Sequence, residues 1–132
     1  MLAKFIEKLA KEMEVTESFE TEVPGVYGIP IDEGISILIS TRPRGFSISC
    51  TFGDTPKGEK EEFYTQCMQA NLLGKGTNGA ILGLDAEAKR LKLTRDIDYT
   101  IDYYEFRDMI EDFINSIDFW IQEAQSYVSE EV

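Results

Sequence analysis

Histidine, the side chain that most often moves protons or holds metal near neutral pH, is absent from this 132-residue chain. Without it neither a Ser-His-Asp nor a Cys-His nucleophile can be assembled, and the commonest metal ligand is missing. Carboxylates are plentiful, Glu111 beside Asp112 among them. A catalytic carboxylate needs burial or a dedicated partner to move its pKa, whereas these fall on what reads as a solvated acidic face. Gly74-Lys-Gly-Thr-Asn-Gly79 spells the glycine spacing of a dinucleotide-binding turn. That turn works when a strand precedes it and a helix follows, so that the helix N-terminus meets the pyrophosphate. Here the helix comes first and the strand second. No acidic residue stands about 20 positions on to hold a ribose, and no Lys-Ser/Thr pair follows the last glycine. The glycines read as a helix C-cap and a tight turn. Cys50 and Cys67 both fall at apolar positions and read as buried, reduced thiols. No catalytic residue, no metal site and no cofactor is expected, so the chain reads as a non-enzymatic binding protein.

Charge supports that reading. The net charge is −12, and residues 96–132 hold 11 acidic residues against the single basic Arg107. An acidic field of this size repels phosphate backbones, so nucleic acid is an improbable partner; on one C-terminal helix it serves solubility. Lys4, Glu7 and Lys8 interrupt the N-terminus, which lacks the apolar core of a signal peptide. No stretch reaches the roughly 18 apolar residues of a membrane span. A cytoplasmic protein with no membrane partner is the expectation.

The elements that would position any site follow from periodicity. Leu2, Phe5, Ile6, Leu9 and Met13 recur at helical spacing, giving an amphipathic first helix. Val26–Ile31 reads as a short strand, with Pro30 arguing for an edge position. Ile35, Ile37 and Ile39 alternate along a second strand; Phe46, Ile48, Cys50 and Phe52 alternate along a third, and Pro43-Arg-Gly45 joins the two into a hairpin. Asp54 or Thr55 could cap a second helix running to about Leu73, with Pro56 near its first turn. Ala80–Leu84 and Leu91–Thr94 form another hairpin around Asp85-Ala-Glu-Ala. A long helix from about Tyr103 to Tyr127 carries Phe106, Ile110, Phe113, Ile117 and Trp120 at heptad-like spacing. The chain is thus read as one α+β domain over residues 1–132, in the order α-β-β-β-α-β-β-α, with no repeat and no linker.

More apolar surface is present than one small core absorbs. The second helix has two adjacent stripes, Phe63, Cys67 and Ala70 on one and Tyr64, Met68 and Leu72 on the other. Leu38 points away from Ile37 and Ile39, and Ile81 away from Leu82. Surplus apolar surface of this kind marks partner contacts. Two different partners are implied, a twin subunit and something else.

The block from Ala70-Asn-Leu-Leu-Gly-Lys-Gly-Thr-Asn-Gly-Ala-Ile-Leu-Gly-Leu to Asp85 resembles the centre of the class I type III secretion chaperones of the Tir-chaperone (CesT-type) family. There a helix ends in N-L-x-G-x-G-T-x-G and runs into x-L-G-L-D. Leu91-Lys-Leu-Thr-Arg, Asp102-Tyr-Tyr-Glu-Phe and Glu111-Asp-Phe-Ile with Trp120 match the family's last hairpin and closing helix. The resemblance covers roughly residues 63 to 121. The first half agrees only in element order, size and acidity, and Phe19 to Pro30 departs from the family's plainer strand.

This resemblance implies a homodimer in the bacterial cytoplasm that binds the N-terminal chaperone-binding segment of a secreted effector and keeps it soluble and secretion-competent. The secretion ATPase is a further contact it suggests. Dimer contacts carried over from the family are Tyr64, Met68, Leu72, Ala80, Ile81, Leu82 and Leu84. Effector-binding positions carried over are Leu2, Phe5, Ile6, Leu9, Val26, Ile29, Leu38 and Phe46. An extended effector segment can add to a sheet edge and drop alternate side chains into apolar pockets. The alternative is a regulatory or adaptor dimer of the same fold without effector cargo, because fold does not fix function.

Overall fold

The computed structural model describes residues 2–16, 18–32, 34–56, 60–73, 80–85, 87, 89–98 and 100–128. Its elements run α1 (Leu2–Glu12), β1 (Val26–Asp32), β2 (Ile35–Arg42), β3 (Gly45–Asp54), α2 (Lys60–Leu73), β4 (Ile81–Leu84), β5 (Arg90–Ile97) and α3 (Tyr103–Val128). This is the α+β order read from the sequence. The strands form a five-stranded antiparallel sheet ordered β1-β2-β3-β5-β4, which leaves β1 and β4 at opposite edges.

Alternation decides which side of the sheet is dry. Along β3, Phe46, Ile48, Cys50 and Phe52 are at most 2% exposed, and their neighbours in register are Ile39 on β2 and Leu91, Leu93 and Ile97 on β5. The three helices cover this face. The Phe106 ring of α3 meets Phe46 edge-on at 5.5 Å between centroids, and Phe63 of α2 meets Trp120 at 6.2 Å. α1 is held to α3 by Phe5, whose ring lies 5.3 Å from Phe106. An Arg107–Glu12 ion pair at 3.5 Å and the Lys8 ammonium 4.5 Å over the Tyr103 ring add to that contact. The opposite face of the sheet carries Ser36, Ser47, Ser49, Thr51 and Thr94 around Leu38, consistent with an antiparallel sheet that is packed on one side only.

Two local readings are corrected. β5 extends three residues past Thr94, because Arg95 and Asp96 continue the pairing with Ile48 and Ser47 despite their charge. Thr55 is not a helix cap: its N–H and hydroxyl both donate to the Lys89 carbonyl, at 3.1 and 3.3 Å, fastening the end of β3 to the β4–β5 turn. Within that turn the Asp85 carboxylate accepts the Lys89 and Arg90 N–H groups at 3.0 and 3.2 Å, which holds its carboxyl below the usual range. The glycine block 74–79 lies outside the described residues, between α2 and β4.

Candidate functional site

Two partner-accessible surfaces sit at opposite edges of the sheet. The first is a groove of about 420 Å³ between α1 and the segment that follows it. α1 supplies Ala3, Ile6, Glu7, Ala10 and Lys11, while Val15, Phe19 and Tyr27 close the far side. Glu14 adopts a left-handed backbone (φ 56°), and the Val15 N–H reaches back to the Ala10 carbonyl at 3.0 Å, turning the chain alongside the helix it has just left. Phe19, 6% exposed, anchors the return. Its carbonyl accepts the Gly28 N–H at 2.8 Å and Thr21 N–H donates to Val26 at 3.2 Å, so Phe19–Thr21 lies as a short arm on the edge of β1. The groove therefore has an apolar floor and a polar rim, where an exposed Glu7–Lys11 pair stands at 3.7 Å.

The second surface is built by α2 and β4. The Phe63 and Cys67 stripe is buried, but the adjacent stripe is not: Met68 is 71% and Leu72 82% exposed. On β4, Leu84, 39% exposed, lies on the same side, whereas Ile81, 66% exposed, pairs with Thr94 and faces the other side of the sheet. Tyr64, Met68, Asn71 and Leu84 line a shallow cleft here. α2 is pinned on both sides, Gln66 donating to the Glu123 carboxylate of α3 at 3.0 Å. At the other side the Asn71 carboxamide accepts the Leu82 N–H at 2.8 Å and donates to the Leu82 carbonyl at 2.7 Å.

The structure divides the residues carried over from the family into lining and support. On the dimer side Met68, Leu72, Ile81 and Leu84 are exposed and Tyr64 is half-buried, whereas Ala80 and Leu82 are each 4% exposed and belong to the core. On the effector side Ile6 reaches the groove floor, but Leu2, Leu9, Ile29 and Phe46 are packed inside, and Phe5 is engaged with α3. Leu38 and Val26 face the other side of the sheet from Phe46, since Leu38 pairs with Ser49 and Val26 with Ser40. One groove cannot collect them all. Ala3, Ala10, Val15, Phe19 and Tyr27 were not singled out in the sequence; the alanines carry no pattern signal, and Phe19 stands outside any periodic run.

Among the described residues, no three His, Cys, Asp or Glu side chains converge to hold a metal ion, and no helix is long and apolar enough to cross a membrane. Burial pushes the Cys50 and Cys67 thiols up to about 11, away from nucleophilic use. Burial, with the Glu12 carboxylate alongside, raises Tyr103 to about 12.

Three helices laid on one face of a five-stranded antiparallel sheet is the architecture of the type III secretion chaperone fold. Over 93% of this chain and 92% of its counterpart, the structure superposes on a chain of the ExsC–ExsE complex with a TM-score of 0.71 at 9% identity. It superposes on a chain of the HopA1–SchA chaperone–effector complex with a TM-score of 0.69 at 12% identity, covering 92% and 93%. For the ExoU–SpcU complex of the Pseudomonas aeruginosa type III secretion system the TM-score is 0.60 at 15% identity, covering 98% and 96%. The sequence makes the assignment specific: residues 4–121 match the Tir chaperone protein (CesT) family, and the chain belongs to it. It is also 30% identical over 125 residues to the Chlamydia pneumoniae protein CPj0713/CpB0740, covering 93% of this chain and 95% of that one. The family is one of chaperones rather than of enzymes.

Proposed function

We propose that this protein is a cytoplasmic chaperone for a type III secreted effector, working as a homodimer and holding the effector's N-terminal segment extended and secretion-competent. The observation that carries the reading is the pair of separate apolar surfaces at opposite edges of one sheet. The exposed stripe of Met68, Leu72 and Leu84 suits a second copy of the chain, since a twofold interface sets the same patch against itself. The α1 groove, apolar below and polar at its rim, suits the side chains of a segment in extended form. Holding a segment this way costs the cargo its chain entropy but keeps its apolar residues from collapsing into a core. The net charge of −12 keeps a carrier with open apolar surfaces from self-association beyond the dimer. Contact with the secretion ATPase belongs to the same reading.

The test is to purify the chain from its own cytoplasm, identify what copurifies, and titrate the isolated N-terminal segment of that partner. Saturable binding of a secreted protein's N-terminal segment, lost when the segment is deleted, supports the proposal. Recovery of a folded cytoplasmic regulator with no secreted N-terminus would favour the adaptor reading and overturn this one.

A further inference from the structure

The two edges of the sheet are closed by different means. At β4 the register sets Leu82 opposite Leu93, and the Leu82 N–H and carbonyl are both taken by the Asn71 carboxamide, at 2.8 and 2.7 Å. One side chain thus occupies the donor and the acceptor that an added strand would need at the middle of a four-residue strand. The residue that does this stands on a helix whose Phe63 and Cys67 are buried in the core and whose Gln66 is tied to α3. Its backbone cannot move away from β4 without unseating α2. At β1 the cover is of another kind. The Phe19–Thr21 arm holds the edge through two backbone hydrogen bonds, and Pro30 further along has no N–H to offer. The cover at β1 is thus backbone of the geometry an added strand would have, whereas the cover at β4 is a side chain on a packed helix.

We propose that Asn71 is an edge-closing residue that denies β4 to strand addition, so that a partner on the α2–β4 side is held by side chains alone and an extended peptide is directed to the β1 edge. The routing of cargo rests on the chaperone reading above; the closure of β4 does not. An unprotected edge of this composition, flanked by exposed Met68, Leu72 and Leu84, would invite strand-to-strand association between copies. Closing it lets the same apolar patch stay exposed without that hazard.

The experiment compares Asn71→Ala, and Asn71→Leu as a variant that keeps side-chain volume, in a Met68→Glu background that removes side-chain dimer contacts. Site-resolved amide exchange should show the Leu82 amide protected in the Asn71 parent and exchanging at least roughly tenfold faster in either variant, with β3 amides unchanged, as loss of a hydrogen bond at a solvent-facing edge requires. Sedimentation should show concentration-dependent oligomers appearing in the variants alone. Equal Leu82 exchange in folded parent and variants, or variants that stay as monomeric as the parent, overturns the proposal. If the chain without the Met68→Glu change is itself a monomer, the dimer reading of the α2–β4 face falls while the exchange result still decides the role of Asn71.

Discussion

Replacing Met68 with glutamate tests the twin-subunit surface at its centre. Met68 is 71% exposed in the single chain, so the substitution removes no core contact. Full burial of a methionine-sized side chain is worth about 1.5–3 kcal/mol, which puts the accessible share of Met68 near about 1.5 kcal/mol. A twofold interface counts the residue twice, giving about 3 kcal/mol, or roughly a hundredfold in the dissociation constant. Two carboxylates brought into an apolar contact add a desolvation cost in the same direction, so a hundredfold is a lower bound. The assay is sedimentation equilibrium of parent and variant over a wide concentration range, distinguishing the 15.0 kDa chain from its pair. Trp120 is 1% exposed, and its blue-shifted emission verifies that the variant is folded. A folded Met68→Glu chain that dimerises with the parent's dissociation constant refutes the assignment of this surface.

Ala3→Glu places a charge on the groove wall at an exposed position; effector-segment affinity should fall at least tenfold by titration calorimetry with the melting temperature unchanged, and an unmoved affinity would relocate the cargo site. Trp120→Ala should lower unfolding free energy by about 3–5 kcal/mol in urea, since the ring is buried against Phe63 and its loss leaves a cavity; a change below about 1 kcal/mol would contradict the packing described. Both thiols should resist Ellman's reagent in the folded chain and react on unfolding. Because burial raises their folded-state pKa to about 11 from an ordinary 9.0, the neutral form is favoured by folding, and their contribution to stability should be intact below about pH 9 and decline between 9 and 11. The Cys50→Ala, Cys67→Ala double variant should show a smaller decline over that window, and an identical one would mean the thiols are not its source.

The legible part of this protein was its periodicity. The alternation of Phe46 to Phe52 gave a strand with alternate residues buried, and the heptad-like spacing of Phe106 to Trp120 gave the α3 stripe. The surplus stripe of Met68 and Leu72, and the outward turn of Leu38 and Ile81, were likewise readable, because a second apolar face on an otherwise satisfied element has nowhere to go. Alternation names two faces of a strand but not which one a helix will cover. Phe46 and Leu38, carried over together from the family resemblance as effector-binding positions, lie on opposite sides of the sheet. Leu82, carried over from the family as a dimer contact, is 4% exposed in the single chain and pairs with Leu93. The Asn71 carboxamide and the Thr55 link to Lys89 depend on contacts made across the fold, and residue type alone cannot report them. Phe19 is a lone aromatic in a polar stretch, and its role appears only once β1 has an edge to cover.

The strand order carries a consequence for how a long cargo is held. With β1 and β4 at opposite ends of five strands spaced about 4.8 Å apart, the α1 groove and the α2–β4 surface are separated by about 19 Å across one chain. A pair joined through β4 would therefore set its two grooves outermost, on the order of 50 Å apart. A fully extended polypeptide covers that span with about 15 residues. Once one groove is filled, the tethered remainder of the same cargo reaches the other at an effective concentration in the millimolar range. Two individually weak sites would then retain one chain firmly, and release could begin at either end without breaking both holds together.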